Sequence, residues 1–230
     1  MSFEEAPAGA AAIRAILPRP PFAAFAALNF LAHLHLTPPT PSGRLGAMLG
    51  DFVKGPLDRS GYDDAIVDAI RLHRAIDTFT DAHPVVREAK TLISPGRRRF
   101  AGILLDLYFD QRLAVEWAER HATGLETFAA EVYEHLAGAD VPLPERLARM
   151  LPVMIGQNWL VSYRSFDGLA AALDGMSRRR RIAAPIEGAA RELHDRRDDL
   201  SAAFHEFFPA LVRHVESLGA GAFIPAAACR

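Results

Sequence analysis

"RLHRAIDTFTDAH" occupies residues 71–83. Ile66 and Ile70 just ahead of it, then His73 and Asp77 within it, recur at three- and four-residue spacing, so they share one face of a helix. Asp81 lies near the same stripe, and His83 follows two residues later. The inward face of this helix therefore begins with aliphatic side chains and ends in ionisable ones. A buried carboxylate without a partner is costly, or shifts its pKa until it is neutral. Asp77 must be met by an arginine, a hydrogen-bond network or a metal.

The helical period continues outward in both directions, while β signals are poor and the breakers fall between the periodic stretches. Helices are predicted near 28–36, 42–54, 62–81, 84–93, 97–120, 124–137, 143–154, 157–164, 166–176 and 184–217. Ser42 is the expected N-cap after the loop "TPPTPSG", and Pro84 and Pro185 suit first turns. The fold expected is all-α, in a single multi-helix domain over 29–217 with a C-terminal tail over 218–230. Residues 1–28 are rich in alanine and proline and read as a mobile extension. A secretory signal wants a basic start and an unbroken apolar run; here acidic residues come first and "PRPP" breaks the run.

Bulk numbers agree with a globular chain. Of its 230 residues half are hydrophobic and 23% charged, and the net charge of −2 singles out no partner. The single cysteine, Cys229, allows no disulfide within the chain, so a reducing cytoplasm is expected. No apolar run approaches the ~18 residues that would span a bilayer, and no membrane partner is expected. Neither a strongly basic balance nor a reader motif points to nucleic acid.

The next long helix repeats the oddity. In "FAGILLDLYFDQRLAVEW", residues 100–117, Ile103, Leu107, Asp110 and Trp117 form a stripe with Asp106 on its flank. Upstream, "NFLAHLHL" adds His33 and His35, and "GDFVKG" adds Asp51 beside Gly50, where a missing side chain lets another group approach the backbone. Imidazoles and carboxylates without cysteine favour the harder divalent ions, Mg²⁺, Mn²⁺ or Fe²⁺. Such an ion acidifies water and neutralises a phosphoryl oxygen, which suits phosphoester hydrolysis. Each pair also has a plainer reading. His73 and Asp77 could form a structural ion pair, Asp106 and Asp110 could be met by Arg98, Arg99 or Arg112, and Asp51 could cap a helix or pair with Lys54. Their joint occurrence favours a site.

Six blocks then resemble a known family: "NFLAHLHL" at 29–36, "GDFVKG" at 50–55, "LHRAIDTFTDAHPVVREA" at 72–89, "LDLYFDQRLAVEW" at 105–117, "NWLVSYRSFDGL" at 158–169 and "GMSRRRRI" at 175–182. In this order they resemble the acyl-carrier-protein phosphodiesterases, which look like divergent relatives of the all-α HD-type metal phosphohydrolases. The resemblance implies hydrolysis of holo-acyl carrier protein to the apo form with release of 4′-phosphopantetheine, dependent on Mn²⁺ or Mg²⁺. Two departures stand out: Gln111 replaces a frequent histidine, and Arg180 replaces a frequent proline.

With that resemblance, the expected metal ligands are drawn from His33, Asp51, His73, Asp77 and Asp110. Asp81 or His83 would orient water or protonate the leaving serine oxygen, and Asp106 would orient a ligand. Arg74 or Arg164 would hold a phosphate oxygen. Arg178, Arg179, Arg180 and Arg181 would offer an acidic carrier protein a complementary surface. The rival readings are a non-catalytic binder of the carrier protein, favoured by Gln111, and a metal phosphodiesterase acting on a nucleotide.

Overall fold

The computed structural model describes residues 30–58, 60–179, 186 and 188–220. Twelve α-helices and no strand are found among them. They are α1 (Phe30–Leu36), α2 (Pro41–Leu49), α3 (Asp64–Ala82), α4 (Pro84–Thr91), α5 (Ala101–Val115), α6 (Trp117–Arg120), α7 (Leu125–Ala137), α8 (Glu145–Gly156), α9 (Trp159–Ser162), α10 (Phe166–Arg179), α11 (Ala189–Asp195) and α12 (Arg197–Val215). The all-α expectation is met. The extension at 1–28 and the tail from 221 onward lie outside the described residues, as does Pro185.

Local chemistry sets most boundaries. Thr40, not Ser42, caps α2, its hydroxyl accepting from Gly43 N at 3.0 Å. Pro41 takes the first helical position, where its missing N–H costs nothing, and this moves the cap one residue upstream of the proline. Asp63 caps α3 through Ile66 N at 2.8 Å. His83 is extended before Pro84, as the proline ring requires, and so separates α3 from α4.

Three of the longer predicted helices stop early or break. The stretch 42–54 stops at Leu49, because Phe52 N and Val53 N both turn back to Leu49 O. The stretch 97–120 becomes a 3₁₀ turn at Arg98–Phe100, then α5 and α6, with a break at Glu116. The stretch 184–217 is broken at Arg196 into α11 and α12.

Packing places α5 at the centre. Leu104, Leu105, Leu107, Tyr108, Phe109, Asp110, Leu113 and Ala114 are all buried, so the helix is covered nearly all round. It meets α1, α4, α10, α11 and α12. The α2 and α3 helices approach closely at Gly46, where a Cβ would come within 2.4 Å of Ala69 Cβ. One continuous hydrophobic core runs through the whole set.

Candidate metal centre

Three elements bring the site together. His33 comes from α1, His73 and Asp77 from successive turns of α3, and Asp51 from the turn after α2. His33 is held through the start of its own helix. Both oxygens of Asp110, wholly buried on α5, accept from that first turn: Leu31 N and Ala32 N, each at 2.9 Å. Carboxylates suit helix N-termini because the first N–H groups have no partner within the helix. Burial pushes the Asp110 carboxyl up, and these two bonds oppose it.

His73 is fixed on every side. Its Nδ1–H donates to the Ala47 carbonyl at 2.7 Å, which leaves Nε2 with the lone pair. Its ring stacks on that of His33, centroids 3.8 Å apart. Its other face lies against Gly50, where a Cβ would meet His73 Cγ at 2.2 Å. The glycine is needed for its emptiness, as the close approach read from the sequence requires.

Around these rings sits a carboxylate shared between them. Asp77 Oδ1 is 3.1 Å from His33 Nε2, and Oδ2 is 3.2 Å from His73 Nε2. Both contacts are close enough for ion pairs, yet neither buried nitrogen has the alignment of a hydrogen bond. Asp51 Oδ1 lies 3.8 Å from His73 Nε2, and its Oδ2 is also buried without a partner. One donor atom from each of His33, His73 and Asp77 falls within 4.8 Å of the others. The Asp77 side chain is 48% exposed and that of Asp51 13%, whereas both histidines are buried. Orphaned imidazole nitrogens around a carboxylate open to solvent on one side fit a divalent cation.

The electrostatics show how tightly these groups are coupled. Burial and the neighbouring His73 hold His33 at about 4. Burial would pull His73 down as well, but Asp77, Asp51 and the Ala47 carbonyl prevail and raise it. Burial works against ionisation of Asp77, yet the two histidines hold its carboxyl well below the usual range. Asp51 is pushed up to about 6, chiefly by burial. Asp106, partly buried on α5, is pushed up to about 8 by burial and then by Asp77, with Lys90 opposing.

The other expected residues stand elsewhere. The Arg74 guanidinium donates to Val53 O at 2.9 Å and Gly55 O at 3.0 Å. Asp81 is 76% exposed and pairs with Lys90 at 2.7 Å. His83 caps the α3–α4 junction with its ring against Phe79 and Phe207. Arg164 pairs with Glu126 on the surface at 2.6 Å. Arg178 and Arg179 are the last residues of α10, and Arg180 and Arg181 lie outside the described residues. His35, two positions from His33, faces the other way among Trp117, His121 and Phe208. The Ala47 carbonyl that sets the His73 tautomer carries no side-chain signal that a sequence could show.

Comparison with known proteins closes the question of kinship. The sequence model of the family described as acyl carrier protein phosphodiesterase matches residues 28–211. A protein of that name from Photorhabdus laumondii is 32% identical over 195 residues, covering 83% of this chain and 96% of its own length. The one from Enterobacter sp. is 33% identical over 186 residues, covering 80% and 96%. The one from Yersinia pestis is 31% identical over 194 residues, covering 82% and 98%. No solved structure matches the chain significantly. The match spans every residue of the His33–Asp51–His73–Asp77 centre, and the chain belongs to the acyl carrier protein phosphodiesterase family.

Proposed function

We propose that this protein hydrolyses holo-acyl carrier protein to the apo form at a divalent cation held by His33, His73 and Asp77, with Asp51 as a further donor. One observation carries the reading: buried imidazole nitrogens of two stacked histidines are left without hydrogen-bond partners beside one half-exposed carboxylate. A cation bound there supplies positive charge for a phosphoryl oxygen and acidifies water. Two imidazoles with carboxylates suit Mn²⁺ or Fe²⁺ as well as Mg²⁺, and Mn²⁺ is the ion expected.

The chain's own residues supply orientation and proton traffic. The Ala47 carbonyl keeps the proton of His73 on Nδ1. Asp110 holds the turn from which His33 projects. Asp106 sits in the field of the same carboxylates, and burial and then Asp77 push its carboxyl up to about 8, so it carries a proton at neutral pH. In the reaction the bond between phosphorus and the carrier's serine oxygen breaks. A water oxygen joins phosphorus and releases one proton, the serine oxygen takes one up, and 4′-phosphopantetheine leaves. Asp106 is the group we assign to the proton that the serine oxygen takes up. Docking of the acidic carrier at Arg178–Arg181, and a cytoplasmic location shared with it, belong to the same proposal.

The test is to incubate the protein with holo-acyl carrier protein and Mn²⁺ and follow the carrier's mass. Loss of the phosphopantetheine arm with wild type, abolished by EDTA and by Asp77→Ala, is expected. Tight binding of the carrier without mass loss would instead identify a binding protein. Cleavage that survives metal removal would refute the metal centre.

A further inference from the structure

Arg74 follows His73 directly on α3 but points toward a different element. Nη1 donates to Gly55 O at 3.0 Å and Nη2 to Val53 O at 2.9 Å. Both terminal nitrogens are thus engaged with the chain just after Asp51. That chain leaves α2 through two turns onto Leu49 O, and its described residues then run without helix or strand until α3. Gly55 takes φ +82, a conformation costly for other residues, where the segment turns past the guanidinium. From the far side, the Arg146 guanidinium lies over the Phe52 ring at 5.7 Å. A planar fork presents its donors to two carbonyls in a fixed geometry, whereas the donors of an ammonium rotate on a flexible stem.

We infer that Arg74 is a positioning residue: by clamping the carbonyls of Val53 and Gly55 to α3, it holds Asp51 beside the His33–His73–Asp77 centre. The inference rests on the metal centre proposed above. It is an alternative to the expectation that this arginine grips a phosphate: two of its five N–H groups go to backbone oxygens. Asp51 reaches only 3.8 Å from His73 Nε2, and its Oδ2 has no partner of its own. Its place therefore depends on the segment that carries it. Removing an outer group that orients a ligand typically weakens metal binding by about 10–100-fold.

The experiment measures Mn²⁺ affinity from the free-ion paramagnetic resonance signal, with no substrate present. Wild type, Arg74→Ala, Arg74→Lys, Asp51→Ala and the Arg74→Ala/Asp51→Ala double variant are compared. We expect weakening of about 10–100-fold in Arg74→Ala with unchanged stoichiometry, and partial recovery in Arg74→Lys. The double variant should be no weaker than Asp51→Ala alone, because both changes remove the same donor. Trypsin should also cut after Lys54, exposed in this segment, faster in Arg74→Ala. Full additivity in the double variant would overturn the proposal. So would unchanged Mn²⁺ affinity with a raised KM for the carrier protein, the signature of direct substrate contact. If Arg74→Ala does not fold, Arg74→Lys in the same cycle decides. Failure of the metal reading itself looks different: wild type and Asp77→Ala would bind Mn²⁺ equally poorly, and the clamp would fall with it.

Discussion

At the scale of single residues, the centre depends on small things held close. His73 has a carbonyl on one nitrogen, a ring on one face and a glycine on the other. Gly50→Ala would put a methyl carbon 2.2 Å from the ring, far inside van der Waals contact, so the imidazole or α2 must move. Overpacking of this kind costs about 1–3 kcal/mol. We expect that loss in urea unfolding, together with weaker Mn²⁺ binding; an unchanged metal affinity would show that the ring need not sit against Gly50. Asp77→Ala should spare the fold instead. Its side chain is half exposed, so the fold should keep its helical circular dichroism while Mn²⁺ affinity drops by more than about 100-fold, beyond what outer groups account for. His73 and Asp77 were legible because they interrupt an apolar stripe. Asp110 interrupts one too, yet it serves the first turn of α1, and periodicity cannot tell a ligand from a cap.

At the scale of elements, the joint between α5, α6 and α12 shows what periodicity misses. The pattern through 97–120 is continuous, but the helix breaks at Glu116. The buried Glu116 carboxylate collects Arg112, Arg120 at 2.5 Å and His205 at 2.8 Å, the last from α12. Burial opposes the charge, but these partners prevail and hold the carboxyl at about 2, below its ordinary 4.5. The ionised form therefore belongs to the folded state. Its contribution is complete above pH 4.5 and is lost as the pH falls toward 2. Glu116→Gln should cost on the order of 2–3 kcal/mol at pH 7, since it leaves two arginines without their anion. Urea unfolding at pH 7 and pH 3 checks this, and the gap between variant and wild type should narrow at pH 3. A gap independent of pH would mean that shape rather than charge holds the joint.

At the scale of the whole molecule, the centre ties α1, α3 and the turn after α2 around one point, so a bound ion should stabilise the entire fold. A ligand at a hundred times its dissociation constant adds about 2.7 kcal/mol, or about 5–10 °C in melting temperature for a chain of this size. Mn²⁺ should raise the wild-type midpoint by that much and leave Asp77→Ala unmoved; equal shifts in both would place the ion elsewhere. The all-α class was determined by the sequence alone, because the 3.6-residue period and the prolines act locally. So was the pairing of His73 with Asp77, since four residues on a helix are neighbours whatever the fold. Only the tertiary structure decided that His33 joins them while His35 does not. It also decided that Asp110 and Arg74 hydrogen-bond backbone groups, and that Asp81 faces Lys90. Those outcomes depend on which element packs beside which, and that is set by contacts between residues far apart in the chain.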